Sequence, residues 1–171
     1  MKKVILILVA VIDFGINAQA QLTSVQSGSS WYVYDLNGKM VTSGRAFKVA
    51  GDYDWYNVQS GSSWYVYSSS GSMITSGRAE RVGDWYNVQS GSSWYVYSSS
   101  GSMITSGRAE RAGDWYNVQA GSSWYVYNSS GKMITSGRAE KTSGAFYNVQ
   151  SGSSWYVYDS SGKMVTSGRM E

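Results

Sequence analysis

The chain of 171 residues sets 14 Lys and Arg against 11 Asp and Glu and contains neither His nor Cys. This excludes Ser-His-Asp and thiol catalysis, disulfide staples and ordinary zinc sites, and its charges are interspersed rather than gathered into the basic stripe a nucleic-acid binder needs. With no Pro for rigid linkers, the 8 Trp and 15 Tyr are the material from which a core must be made.

Residues 1–20 read as a secretory signal peptide. Lys2 and Lys3 make a basic start, Val4 to Ile12 a short apolar run, and Ala18-Gln19-Ala20 a small-x-small cleavage site. The run is too short for a stable membrane span, and no later run is long enough. Residues 21–171 are then expected to form one repeat domain carrying a net charge of about +2, with room for a real core.

From Leu22 onward the chain repeats itself. Five Trp open nearly identical stretches at Trp31, Trp64, Trp94, Trp124 and Trp155, and residues 58–87 and 88–117 differ only at Val82 against Ala112. The outer copies have drifted, yet each keeps Val-Gln-x-Gly-Ser-Ser-Trp-Tyr-Val-Tyr, then Gly, Met, Val or Ile, and Thr-Ser-Gly-Arg. A period of about 30 residues marks a repeat architecture, in which stacked neighbours bury faces that one unit cannot bury alone.

Val, Ile, Thr, Tyr and Trp dominate each unit and favour strands, while no stretch shows helical periodicity. Three strands per unit are predicted: strand a from Trp85 to Gln89, strand b from Trp94 to Tyr97, and strand c from Met103 towards Arg111. Gly91 turns a into b, Gly101 turns b into c (Asn37-Gly38 in the first copy), and Gly113-Asp114 leads to the next unit. Gly107, inside strand c, is expected to mark a bulge or bend. The expected fold is therefore all-β. Five three-stranded meanders, at about 22–52, 53–83, 84–113, 114–144 and 145–171, stack as an open solenoid-like array, with a closed five-bladed ring as the alternative. Glu80-Arg81 and Glu110-Arg111 are charged gatekeepers against edge association.

Alternation places Trp94 and Val96 on one face of strand b and Tyr95 and Tyr97 on the other. In strand a, Trp85, Asn87 and Gln89 oppose Tyr86 and Val88. Both faces carry aromatics, so either both are buried by stacking or one displays a ladder of rings. A displayed ladder amid Ser, Gly and Asn has the composition of a binding surface, and flat rings with polar neighbours suit sugars. Catalysis is not expected: nearly every polar group recurs, and nothing selects a carboxylate pair among Asp52, Asp54 and Glu80. Asp35-Leu36-Asn37-Gly38 has the flavour of a calcium loop without its remaining ligands, and reads as a turn whose side chain bonds its own backbone. No metal or cofactor is expected.

The stretch Trp155-Tyr156-Val157-Tyr158-Asp159-Ser160-Ser161-Gly162-Lys163-Met164-Val165-Thr166, matched by Trp31 to Thr42, resembles the cell-wall-binding repeats of choline-binding and glucan-binding surface proteins. A looser likeness is to WG-type repeats of bacterial surface proteins. The resemblance implies a hairpin solenoid at a cell surface, with ligands caged by Trp31, Trp64, Trp94, Trp124 and Trp155 and with Met40, Met73, Met103, Met133 and Met164 nearby. It departs from the family where Arg45, Arg78, Arg108, Arg138 and Arg169 replace an aromatic. An Arg there repels a choline cation, so a neutral or acidic glycan is the better ligand. Each Arg can instead pair with a Glu on a neighbouring strand, or cover a Trp with its stem.

The expectation is a secreted or surface-associated, non-enzymatic protein that binds polysaccharide or cell-surface glycan multivalently through these five Trp and five Arg. The alternative is a self-associating structural or adhesive subunit of a fibre or matrix. The signal peptide and the resemblance fit a bacterial envelope.

Overall fold

A computed structural model describes residues 21–49 and 55–171; the expected signal peptide, Asp52 and Asp54 lie outside the described residues. No helix occurs among the described residues, which form nineteen short strands in five antiparallel sheets. The third sheet stands for the others. Its strands are Arg78–Val82, Trp85–Ser90, Ser93–Ser98 and Met103–Ser106, hydrogen-bonded in chain order. The predicted strands a and b are present, and so are the turns at Gly91, Gly101 and Gly113.

Strand c differs from the expectation. It ends at Ser106, and a new strand opens at Arg108 in the next sheet. Gly107 is therefore the boundary between layers rather than a bulge within one. Its φ is 118°, a side chain there would run into the Gln119 carbonyl, and its N–H binds the Trp94 carbonyl at 2.8 Å. Gly44, Gly77 and Gly137 repeat this crossing. The Gly113-Asp114 turn, read as a link between units, joins two strands of one sheet. Sheets two to five consequently have four strands each, while the first has three: Thr23–Ser27, Ser30–Tyr34 and Met40–Ser43.

The sheets stack in sequence. Every substantial contact between sheets joins chain neighbours, so the described residues form an open row and not the five-bladed ring. The core is split into layers, one per gap. In the gap between the third and fourth sheets, Trp85 and Val96 meet Ala109, Tyr116 and Val118. Trp85 lies flat on Tyr116, with ring centres 3.9 Å apart, and Trp55–Tyr86 and Trp115–Tyr147 repeat the stack at 4.0 and 3.8 Å. Both faces of an inner sheet are thus buried. This resolves the two-faced aromatic pattern in favour of stacking for the Trp of the Trp-Tyr-Asn-Val-Gln strands.

A buried Asn locks each gap after the first. Asn87 accepts the Ala109 N–H at 2.8 Å and donates to the Ala109 carbonyl at 2.9 Å. Its amide acts as a short extra strand against the opening edge of the next sheet, satisfying backbone groups that the sheet itself leaves unpaired. Asn57 does the same for Ala79 and Asn117 for Ala139, and Asn148 makes the same two bonds to Met170, beyond the last strand. In the first copy Ser24 stands at this position and accepts only the Ala46 N–H, at 2.8 Å.

Asn87→Ala strands a buried N–H and a buried carbonyl, and is expected to cost about 2–4 kcal/mol in urea unfolding. Asn148→Ala, whose partner Met170 is 39% exposed, is expected to cost less than half as much, because water can replace the lost bonds.

Candidate functional site

The Gly crossing also builds a surface feature that recurs along the row. Because the Gly107 N–H is tied to the Trp94 carbonyl, the next residue, Arg108, comes back over the Trp94 ring, with its guanidinium carbon 4.8 Å from the ring centre. Arg45 over Trp31 (4.9 Å), Arg78 over Trp64 (5.2 Å), Arg138 over Trp124 (4.9 Å) and Arg169 over Trp155 (4.5 Å) repeat the contact. The five predicted Trp and five predicted Arg are therefore brought together pairwise. These Trp are half-buried, whereas Trp55, Trp85 and Trp115 are each only 2% exposed.

Three of the pairs, Trp31–Arg45, Trp64–Arg78 and Trp94–Arg108, border an open groove between adjacent sheets. The groove beside Trp94 has a volume of about 520 Å³ and is lined by Ser92, Ser93, Trp94, Ser106, Arg108 and Gln119. Its counterpart beside Trp64 measures about 530 Å³, with Ser62, Ser63, Ser76, Arg78 and Gln89. The one beside Trp31 measures about 460 Å³, with Ser29, Ser30, Ser43, Arg45 and Gln59. The rim turns are set by Gly61 and Gly91, both at φ 61° with open space above them. Each is the first of two turn residues, where a type II′ turn requires glycine. Gln59 and Gln89 donate to the carbonyls of these glycines at 3.3 Å, which orders their amides at the groove.

The Trp-Arg arrangement differs from the cage that the resemblance implies. The Arg covers a face of the ring itself. The methionines line none of these three grooves; they sit half-exposed on the outer strands, where Met103 pairs with Tyr97. Three of the Arg also bind a carboxylate of the preceding sheet: Arg108 to Glu80 at 2.8 Å, Arg138 to Glu110 at 2.7 Å and Arg169 to Glu140 at 2.7 Å. Glu80 and Glu110 are each also 3.4 Å from the side-chain amide of the Asn on their own sheet. In the Asp35 turn, Oδ1 accepts the N–H groups of Asn37 and Lys39, both at 2.9 Å, as a self-bonded turn should.

Sequence reasoning missed the layer-locking Asn residues. Their signal was present: an Asn between Tyr and Val in a strand of otherwise apolar residues, at Asn57, Asn87, Asn117 and Asn148.

No protein-family model matches the sequence, and no curated protein does. Among solved structures, Hsv2p of Kluyveromyces lactis is similar over 82% of this chain, with 12% identity and a TM-score of 0.31, and this chain spans 59% of that one. At that score the likeness carries no argument about fold or function. No helix among the described residues is long and apolar enough to cross a membrane.

A second ion pair crosses the last gap at the rim. Lys141 Nζ donates to Asp114 at 2.9 Å, and the Tyr147 hydroxyl donates to the same oxygen at 3.2 Å. The Lys141 bond, followed by that of Tyr147, holds the Asp114 carboxyl below its ordinary 3.8, while the Asp114 bond raises Lys141 above 10.5. Asp114 thus favours the folded state above its unfolded pKa, and this contribution is lost as pH falls through the lower folded value. The Lys141 contribution is full below its unfolded pKa and is lost as pH rises through the higher folded value. A carboxyl-detected NMR titration is expected to place Asp114 below 3.8, and Lys141→Met should return it towards the ordinary value.

Proposed function

We propose that the chain is a secreted or surface-associated, non-enzymatic protein that binds carbohydrate multivalently through its row of grooves. The observation that carries this reading is the recurrence of one groove, of nearly constant size and lining, in successive layers. Catalysis needs a constellation that occurs once, whereas a polymer of repeating units is matched by a protein of repeating sites.

The lining suits sugar. The guanidinium, the serine hydroxyls and the ordered Gln amide offer donors and acceptors to ring hydroxyls, and the half-buried Trp offers apolar area to the C–H face of a pyranose. Shallow grooves of this kind bind single units weakly. Several of them on one rigid row make later binding events intramolecular, so that affinity for a long chain exceeds that of one site by about 10²–10⁴. The resemblance to cell-wall-binding repeats supports a glycan partner, and the signal peptide an extracellular site.

Residues 21–171 titrated with neutral and acidic polysaccharides, with light scattering on the same samples, test this reading. Saturable binding at constant particle size is expected, and Trp94→Ala should lower affinity for a long polysaccharide by about tenfold with an unchanged circular dichroism spectrum. Absence of binding across the panel, with scattering that rises with protein concentration alone, would overturn the reading in favour of a self-assembling structural protein.

A further inference from the structure

The grooves are alike in shape but unlike in charge. Arg108, Arg138 and Arg169 are each paired with a Glu of the preceding sheet. The Glu lies two residues beyond the Arg of its own opening strand, as in Arg78-Ala79-Glu80, Arg108-Ala109-Glu110 and Arg138-Ala139-Glu140. The second sheet opens instead with Arg45-Ala46-Phe47. Phe47 therefore occupies the place from which a Glu would reach Arg78. Its ring packs 5.8 Å from that of Trp64 and 5.1 Å from the Arg45 guanidinium. Arg45 opens the second sheet, and among the described residues the preceding three-stranded sheet has no opening strand to supply a Glu. Among the described residues, no carboxylate pairs with Arg45 or Arg78, and both side chains are exposed.

We infer that the first two grooves, at Trp31–Arg45 and Trp64–Arg78, are the sites for acidic sugars, and that the groove at Trp94–Arg108 takes neutral units. This rests on the carbohydrate reading above and assigns ligand class within it. In the groove at Trp94–Arg108, a uronate or sulfate entering beside Arg108 must displace a carboxylate already held at 2.8 Å and then meets its repulsion. In the first two grooves the fork of guanidinium donors is open to an anion. There Phe47 stands where the later layers carry a competing charge. The site is exposed, so its preference for acidic ligands should fade as salt rises, while binding of neutral sugar should not.

The test uses residues 21–171 and three oligosaccharides of equal length: neutral dextran, sulfated dextran and oligogalacturonate. Phe47→Glu supplies the missing partner for Arg78 and should weaken binding of both acidic probes by about three- to fivefold, the factor one exposed ion pair is worth, while leaving the neutral probe unchanged. Phe47→Gln removes the ring without adding charge and should retain binding of the acidic probes. Glu80→Gln releases Arg108 and should strengthen acidic binding by a similar factor. Loss by only one acidic probe would narrow the ligand to uronate or to sulfate within the same inference. Equal losses in Phe47→Glu and Phe47→Gln, or acidic affinities that follow the neutral one in every variant, would overturn the inference and leave the carbohydrate reading standing. Failure of all three probes, together with the polysaccharides, would overturn both.

Discussion

From the third sheet onward, each layer of this protein is held by what the previous one sends across the gap: an Asn amide bonded to both backbone groups of an edge residue, and an indole laid flat on a tyrosine. A sheet of four short strands has too little apolar area to be stable alone, and its opening edge would be a template for association. The Asn87 amide caps that edge at Ala109, and the Trp85–Tyr116 stack covers the face beside it. The polar atoms of the stacked rings also find partners across the gap. Trp85 donates its N–H to the Ser129 carbonyl, and the Tyr116 hydroxyl accepts the Asp84 N–H. Stability is therefore a sum of neighbour terms along a row, as expected of a repeat protein, and no disulfide is required.

This division of labour separates the two kinds of Trp. Those of the Trp-Tyr-Asn-Val-Gln strands are consumed by the core. Those of the Ser-Trp-Tyr-Val-Tyr strands stand at the rim under an Arg, where the chain crosses from one sheet to the next. The same glycine that lets the backbone cross also delivers the Arg to the ring, so the groove is a by-product of the stacking geometry and recurs wherever that geometry does. Variation in groove charge then needs few changes. One residue, Phe47 against Glu80, Glu110 and Glu140, alters the charge of a groove without altering its frame.

Much of the fold was legible in the sequence. Strand ends were marked by glycines whose turns require positive φ, and the period of the repeat announced stacking. Alternation sorted Trp85, Asn87 and Gln89 from Tyr86 and Val88 correctly. It could not say that both faces were covered, because an aromatic at alternate positions looks the same whether it meets another sheet or solvent. The split at Gly107 was hidden for a similar reason. A glycine that permits a bulge and one that permits a change of sheet carry the same local signature, and only the Gln119 carbonyl across the gap distinguishes them. The Asn clamp was missed because its partner, 22 residues away in the chain, belongs to another sheet. The candidate site was half legible: the sequence singled out these Trp and Arg, but their direct contact depends on the crossing glycine, and the methionines fell on the outer strands.

Three Trp pack in the core and five stand at the rim, each under an Arg. Fluorine NMR of the chain labelled with 5-fluorotryptophan tests this division directly, using solvent-isotope shifts with and without a bound polysaccharide. The account predicts two classes among the eight resonances. Trp55, Trp85 and Trp115 should be insensitive to solvent and unmoved by ligand, while Trp31, Trp64, Trp94, Trp124 and Trp155 should be sensitive to solvent and the ones that shift. A single solvent-sensitive class, or ligand-induced shifts confined to the three core residues, would contradict it.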